Sequence, residues 1–195
     1  MQRIGLFGGS FDPVHYGHLL VARAAMEEAK LERLFFILAA QSPFKTETPP
    51  TPAATRARLL RLALAGKPEF ELDTQELDRE GPSYTIDTIR AYHARHPGAS
   101  IHYLIGADHV PLLPKWREAD ELAESAEFLI IPRPGESEET FPASFRGQVL
   151  KGFPFGISST LLRERARNSL TLEGMTPRAV AEAIERDNIY GTTSS

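Results

Sequence analysis

Leu6-Phe7-Gly8-Gly9-Ser10-Phe11-Asp12-Pro13-Val14-His15-Tyr16-Gly17-His18 lies between a short apolar run, Ile4 to Phe7, and a helical pattern that begins at Leu19. That position is a strand-to-helix turn. Adjacent glycines let a backbone approach a ligand closely and take dihedrals that other residues avoid. The helix that follows aims unpaired N–H groups at the same spot, which suits phosphate. His15 and His18 are three apart and share one face at the helix entry. Two imidazoles at a phosphate cradle point to the handling of nucleotide phosphate. The stretch is neither G-x-G-x-x-G nor G-x-x-x-x-G-K-[ST], so the two commoner phosphate loops are excluded.

Outward from this turn, Arg3 to Phe7 reads as a buried strand, Gly17 to Lys30 as a helix with a wide apolar face, and Leu34 to Ala39 as a second strand. A strand, helix and strand of these lengths imply a right-handed parallel unit. Gln41 to Thr55 holds Pro43, Pro49, Pro50 and Pro52 and reads as a mobile loop. Ala53 to Ala65 reads as a helix and Phe70 to Leu77 as a short strand. Ser83 is placed to cap a helix from Tyr84 to about His96, which Pro97-Gly98 stops. Ile101 to Ile105 and Glu127 to Ile131 are further strands, with a helix over Arg117 to Ser125 between them. Arg133 to Phe145 reads as loop, and Val149 marks a last strand. Ser158 or Ser159 caps a helix over Thr160 to Asn168, and Pro177 opens a final helix to about Asn188.

This alternation predicts an α/β fold: a doubly wound, Rossmann-like parallel sheet with helices on both faces and a short C-terminal helical extension. A single domain is expected over 1–190, with the extension over about 157–190 and a disordered tail at 191–195. Ligands in such a fold sit beyond the carboxyl ends of the strands. The turns after Phe7, Ala39, Ile105 and Ile131 are therefore expected to face one cleft.

The 195 residues are 42% apolar, enough for a substantial core. The chain has no cysteine, which excludes disulfides, thiolate chemistry and cysteine-ligated metal centres. A net charge of −4 argues against general nucleic-acid binding, while local positive sites can still hold small anions. No segment is long and apolar enough to span a bilayer, and Met1-Gln2-Arg3-Ile4 does not begin a secretory signal. A cytoplasmic protein with no membrane partner is expected, and a homo-oligomer stays open.

The opening stretch resembles the GxFDPxHxGH motif of nucleotidyltransferases with an HxGH core. The resemblance continues in order through Gly81-Pro82-Ser83-Tyr84-Thr85-Ile86-Asp87-Thr88, Ile105-Gly106-Ala107-Asp108, Trp116 and Pro132-Arg133-Pro134-Gly135. Ile157-Ser158-Ser159-Thr160-Leu161-Leu162-Arg163 resembles the ISSTxxR segment near the C-terminus. The ordered set resembles the bacterial nicotinate-nucleotide adenylyltransferases. That resemblance implies ATP contacts at Gly8, Gly9, Ser10, Phe11, His15, His18, Gly106, Asp108, Arg133, Ser158, Ser159, Thr160 and Arg163. It implies nicotinate mononucleotide contacts at Ser10, Lys45, Thr85, Asp108, Trp116 and Arg117, and catalytic roles for His15, His18, Lys45 and Arg163. The family has a Pro-x-His-Lys type sequence where this chain reads Ser42-Pro43-Phe44-Lys45, so only Lys45 offers charge there.

The reaction implied is adenylyl transfer from ATP to nicotinate mononucleotide, giving deamido-NAD and pyrophosphate without a covalent intermediate. Mg²⁺ is expected to arrive with ATP, with no metal site built by the protein alone. Asp12, His15 and His18 carry the donor atoms of a zinc site, but the resemblance assigns the imidazoles to phosphates. Helix N-termini at Thr85 and at Trp116-Arg117 are expected to favour a pyridine carboxylate over an amide. An indole face at Trp116 would also attract the cationic pyridine ring.

Overall fold

The computed structural model describes residues 1–40, 50–79, 83–131, 141–152 and 156–191. Six strands form one sheet: β1 (Arg3–Gly9), β2 (Arg33–Leu38), β3 (Phe70–Asp73), β4 (Ser100–Gly106), β5 (Glu127–Ile131) and β6 (Gly147–Val149). Their order is β3-β2-β1-β4-β5-β6, and every pairing is parallel. Between and after them run α1 (Tyr16–Glu28), α2 (Ala53–Leu64), α3 (Thr85–Arg95), α4 (Ala119–Ser125), α5 (Ser159–Arg167) and α6 (Arg178–Arg186). A 3-10 helix covers Ala107–Lys115.

The strands are apolar runs because both faces of the sheet are covered. The period of two sorts them cleanly. Phe7, Leu34, Phe36, Leu38, Leu104 and Leu129 enter the core shared with α1, α2, α5 and α6. Ile4, Leu6, Phe35, Ile37, Ile101, Tyr103, Phe128 and Ile130 enter the opposite core, under α3, α4 and the 3-10 helix. The strand order reverses between β1 and β4. The crevice outside their carboxyl ends is the switch point where doubly wound sheets bind ligands.

The structure corrects several local expectations. The third strand stops at Asp73, because Asp73 Oδ1 accepts the Gln75 N–H at 2.8 Å and turns the chain. Ser83 does not cap α3: Tyr84 is the cap residue, and the Ser83 hydroxyl instead reaches the Glu76 carbonyl at 3.4 Å. Trp116 and Arg117 do not open a helix. Trp116 ends the 3-10 helix, whose turns accommodate Pro111 and Pro114, and α4 begins two residues after Arg117. Pro177 precedes α6 as its cap rather than entering it.

Candidate active site

The turn after β1 is built by strain, burial and a set of carbonyl anchors. Neither Gly8 nor Gly9 has a positive φ; Phe11 does, at 44°. The expectation that the glycines carry the unusual dihedral is thus corrected. Gly8 is needed for closeness: a Cβ there would lie 2.5 Å from the Tyr103 hydroxyl oxygen. Phe11 is buried, and its ring edges onto the His18 imidazole at 5.0 Å between centroids. The Asp12–Pro13 peptide is cis.

His15 is the cap residue of α1, and its backbone N–H donates to His18 Nδ1 at 3.2 Å. That bond makes Nδ1 of His18 an acceptor, so the neutral ring carries its proton on Nε2. The two imidazoles stack, with centroids 3.7 Å apart and planes 26° from parallel. His15 is 6% exposed, and burial pushes its pKa down to about 4, so the ring is neutral at pH 7. Its Nδ1 is buried without a hydrogen-bond partner. Sequence spacing and structure agree that the two rings share one face.

The C-terminal segment holds this turn almost residue by residue. Arg163 Nη1 donates to the Asp12 carbonyl at 2.8 Å, and the Ser159 hydroxyl to the Pro13 carbonyl at 2.9 Å. The Thr176 hydroxyl donates to the Val14 carbonyl at 2.8 Å, and the Tyr16 N–H donates to the Met175 carbonyl at 2.9 Å. Ser158, not Ser159, caps α5: its hydroxyl accepts the Leu161 N–H at 3.2 Å. Arg163 Nη2 donates to the Thr160 hydroxyl at 3.2 Å. A cavity of about 440 Å³ opens on this side of the turn, lined among others by Ser10, Asp12, Arg56, Arg163, Arg167 and Tyr190. The histidine pair, Thr85 and Trp116 do not line it.

A second cluster surrounds Tyr103 on β4. Its hydroxyl meets Gly8 and hydrogen-bonds with Thr85, the first residue of α3. Burial pushes the phenol up to about 12. The Trp116 indole packs edge-on to Tyr103 at 6.4 Å, and its buried Nε1 has no hydrogen-bond partner. Arg117 lies over the Tyr84 ring at 4.6 Å and pairs with Glu118 at 3.3 Å. Gly106 ends β4, and the exposed Asp108 stands in the first turn of the 3-10 helix. Tyr103 thereby joins the Gly8 turn to Thr85 and Trp116. Lys45 and Arg133 lie outside the described residues.

Three residues escaped the sequence reading. Tyr103 sits inside an apolar strand, where an aromatic reads as core. Arg56 falls on the buried face of α2 with Leu59 and Leu60, and a charge within an apolar helical stripe was the signal available. Tyr190 lies at the far end of the chain, where nothing local marks it.

The family described as cytidylyltransferase-like matches residues 6–165. A probable nicotinate-nucleotide adenylyltransferase of Geobacillus thermodenitrificans is 43% identical over 195 residues, 100% of this chain and 89% of the relative. The nicotinate-nucleotide adenylyltransferase of Bacillus subtilis is 37% identical, over 97% of this chain and 99% of its own. In fold, the chain is similar to the Plasmodium falciparum nicotinic acid mononucleotide adenylyltransferase complexed with NaAD. That likeness has a TM-score of 0.76 at 18% identity, over 97% of this chain and 98% of the other. With the β1 turn, its two stacked histidines and the serine-threonine-arginine helix in place, the chain belongs to the nicotinate-nucleotide adenylyltransferases of the cytidylyltransferase-like family.

Proposed function

We propose that this protein transfers the adenylyl group of ATP to nicotinate mononucleotide, giving deamido-NAD and pyrophosphate for NAD biosynthesis. An ionised phosphate oxygen of the mononucleotide attacks the α-phosphorus of ATP in line. The new P–O bond forms as the bond to the β-phosphate bridging oxygen breaks, and that electron pair leaves with pyrophosphate. No proton has to be removed from the nucleophile, so placement and countercharge carry the catalysis.

The observation that carries this reading is the meeting of His15, His18, Ser159 and Arg163 on one turn beyond β1. His18 Nε2–H and the His15 ring, whose Nδ1 has no hydrogen-bond partner, hold the α- and β-phosphate oxygens. Gly8, Gly9, Ser10 and Phe11 bring backbone close to them. Arg163 and Lys45 balance charge, and Ser158, Ser159 and Thr160 present the α5 N-terminus. Gly106 and Asp108 flank the adenosine of ATP, and Arg133 contacts the ATP phosphates. Ser10, Lys45, Thr85, Asp108, Trp116 and Arg117 hold the mononucleotide. With no helix starting at Trp116, preference for the pyridine carboxylate rests on the α3 N-terminus at Thr85 and on Arg117.

Among the described residues no three His, Cys, Asp or Glu side chains gather as a metal cage. Mg²⁺ carried in on the ATP phosphates would neutralise charge there. No described helix is long and apolar enough to cross a membrane. A coupled assay for pyrophosphate release tests the function. ATP with nicotinate mononucleotide should turn over. CTP, or the nicotinamide mononucleotide at equal concentration, should give a far lower kcat/KM. Comparable kcat/KM for acid and amide would refute the proposed selectivity.

A further inference from the structure

Arg56 is 1% exposed and directs four N–H donors of its guanidinium at backbone carbonyls. Nη1 donates to Ser10 O at 2.8 Å and Ala39 O at 2.9 Å, Nη2 to Ala40 O at 3.1 Å, and Nε to Thr51 O at 2.8 Å. One side chain thus pins the chain leaving β1, the chain leaving β2 and the start of α2. The Asp12 carboxylate faces the same space. Its Oδ1 accepts the Tyr190 hydroxyl at 2.7 Å, and its Oδ2 accepts the Thr51 N–H at 3.0 Å. The Asp12 charge favours the arginine cation that burial opposes.

These anchors bracket one strained residue. Arg56 holds the carbonyl before Phe11, and Tyr190, Thr51 and Arg163 hold the residue after it. Phe11 has φ of 44°, a region that bulky residues rarely adopt. Such a conformation persists only where its surroundings over-determine it. Its consequence is local: the Phe11 ring, also edged against Phe7 at 5.4 Å, is set 5.0 Å from the His18 imidazole. Neither Arg56 nor Tyr190 appears among the phosphate or pyridine contacts proposed above.

We propose that Arg56 and Tyr190 are positioning residues, which act through Ser10, Phe11 and Asp12 to fix the His18 ring for adenylyl transfer. The proposal rests on the functional reading above. In it, the last aromatic of the chain and a helix on the other side of the turn set the aim of one imidazole. A displacement of the order of 1 Å at such a group costs up to about 10² in rate.

Tyr190→Phe removes one hydroxyl and keeps the ring. The expected result is a folded enzyme with kcat about tenfold lower or more and KM for both substrates within about twofold. In the same variant without substrate, the His18 Cε1–H NMR resonance should move, while that of the buried His102 on β4 stays. Asp12→Asn is the second variant: it keeps an oxygen for Tyr190 but sets an amide N–H against the Thr51 N–H, and the same two changes are expected. A folded variant with wild-type kcat, or with lowered kcat and an unmoved His18 resonance, overturns the proposal. So does unfolding of both variants, which would make the hub structural only. If the wild-type protein releases no pyrophosphate from ATP and nicotinate mononucleotide, the functional reading fails instead, and the resonance comparison still reads the geometry.

Discussion

Arg163 donates to the backbone carbonyl of Asp12 at 2.8 Å, a bond that joins positions 151 residues apart in sequence. The same guanidinium lines the cavity beside the turn. It tethers the turn, and in the proposed reaction it would also supply countercharge for phosphate. Arg163→Ala removes both. The expected outcome is a kcat/KM lower by about 10²–10³ and a stability loss of about 1–3 kcal/mol, read by kinetics and by denaturant melts. Arg163→Lys keeps the charge but not the planar fork, so it should recover part of the rate and little of the stability.

His18→Ala removes the N–H donor and the acceptor of the His15 N–H together. The purified variant should remain folded, with kcat reduced by about 10²–10³ and helix α1 weakened by about 1 kcal/mol. Near-normal turnover would show that His18 does not meet the reacting phosphates.

His15 gives a pH signature. Its folded pKa near 4 lies below the ordinary 6.5, so on acidification the unfolded chain takes up this proton first. The stability that depends on a neutral ring is whole above about pH 6.5 and is lost as pH falls towards 4. Between those limits the wild type should lose up to about 3 kcal/mol that His15→Asn does not. Parallel stability curves for the two proteins, from urea melts across that window, would contradict the burial argument.

Gly8 and Tyr103 form a pair that a double-mutant cycle can test. A Cβ at position 8 would meet the Tyr103 hydroxyl oxygen at 2.5 Å but its ring carbon only at 3.4 Å. Gly8→Ala should therefore destabilise by about 1–3 kcal/mol. Adding Tyr103→Phe should restore most of that loss, seen as a coupling energy well above additivity.

Trp116 is the only tryptophan, so fluorescence reports on it directly. Nicotinate mononucleotide should quench it in a saturable titration, and Trp116→Leu should raise KM for the mononucleotide more than KM for ATP. A titration that leaves emission unchanged while turnover saturates would remove the indole from the pyridine pocket.

The parallel sheet was legible because its signal is local. Apolar runs such as Leu34 to Ala39 and Ile101 to Ile105 need both faces covered, and helical patterns between them leave few other topologies. The histidine pair and the serine cap were equally legible, since three-residue spacing at a helix entry fixes which side chains meet. Helix starts were less so. Ser83 could cap by type, but the helix begins at Thr85, which makes Tyr84 the cap residue.

From its sequence alone, this chain determines its strand order class, its glycine- and histidine-bearing turn and the identity of the side chains at that turn. Periodicity and spacing are properties of neighbours along the chain. Only the tertiary structure decides that Arg56 and Tyr190, remote in sequence, converge on Asp12, that Phe11 rather than a glycine carries the positive φ, and that His15 is neutral. Those outcomes depend on burial and on which carbonyls are left without partners once the sheet and helices have packed, and neither quantity exists until they have.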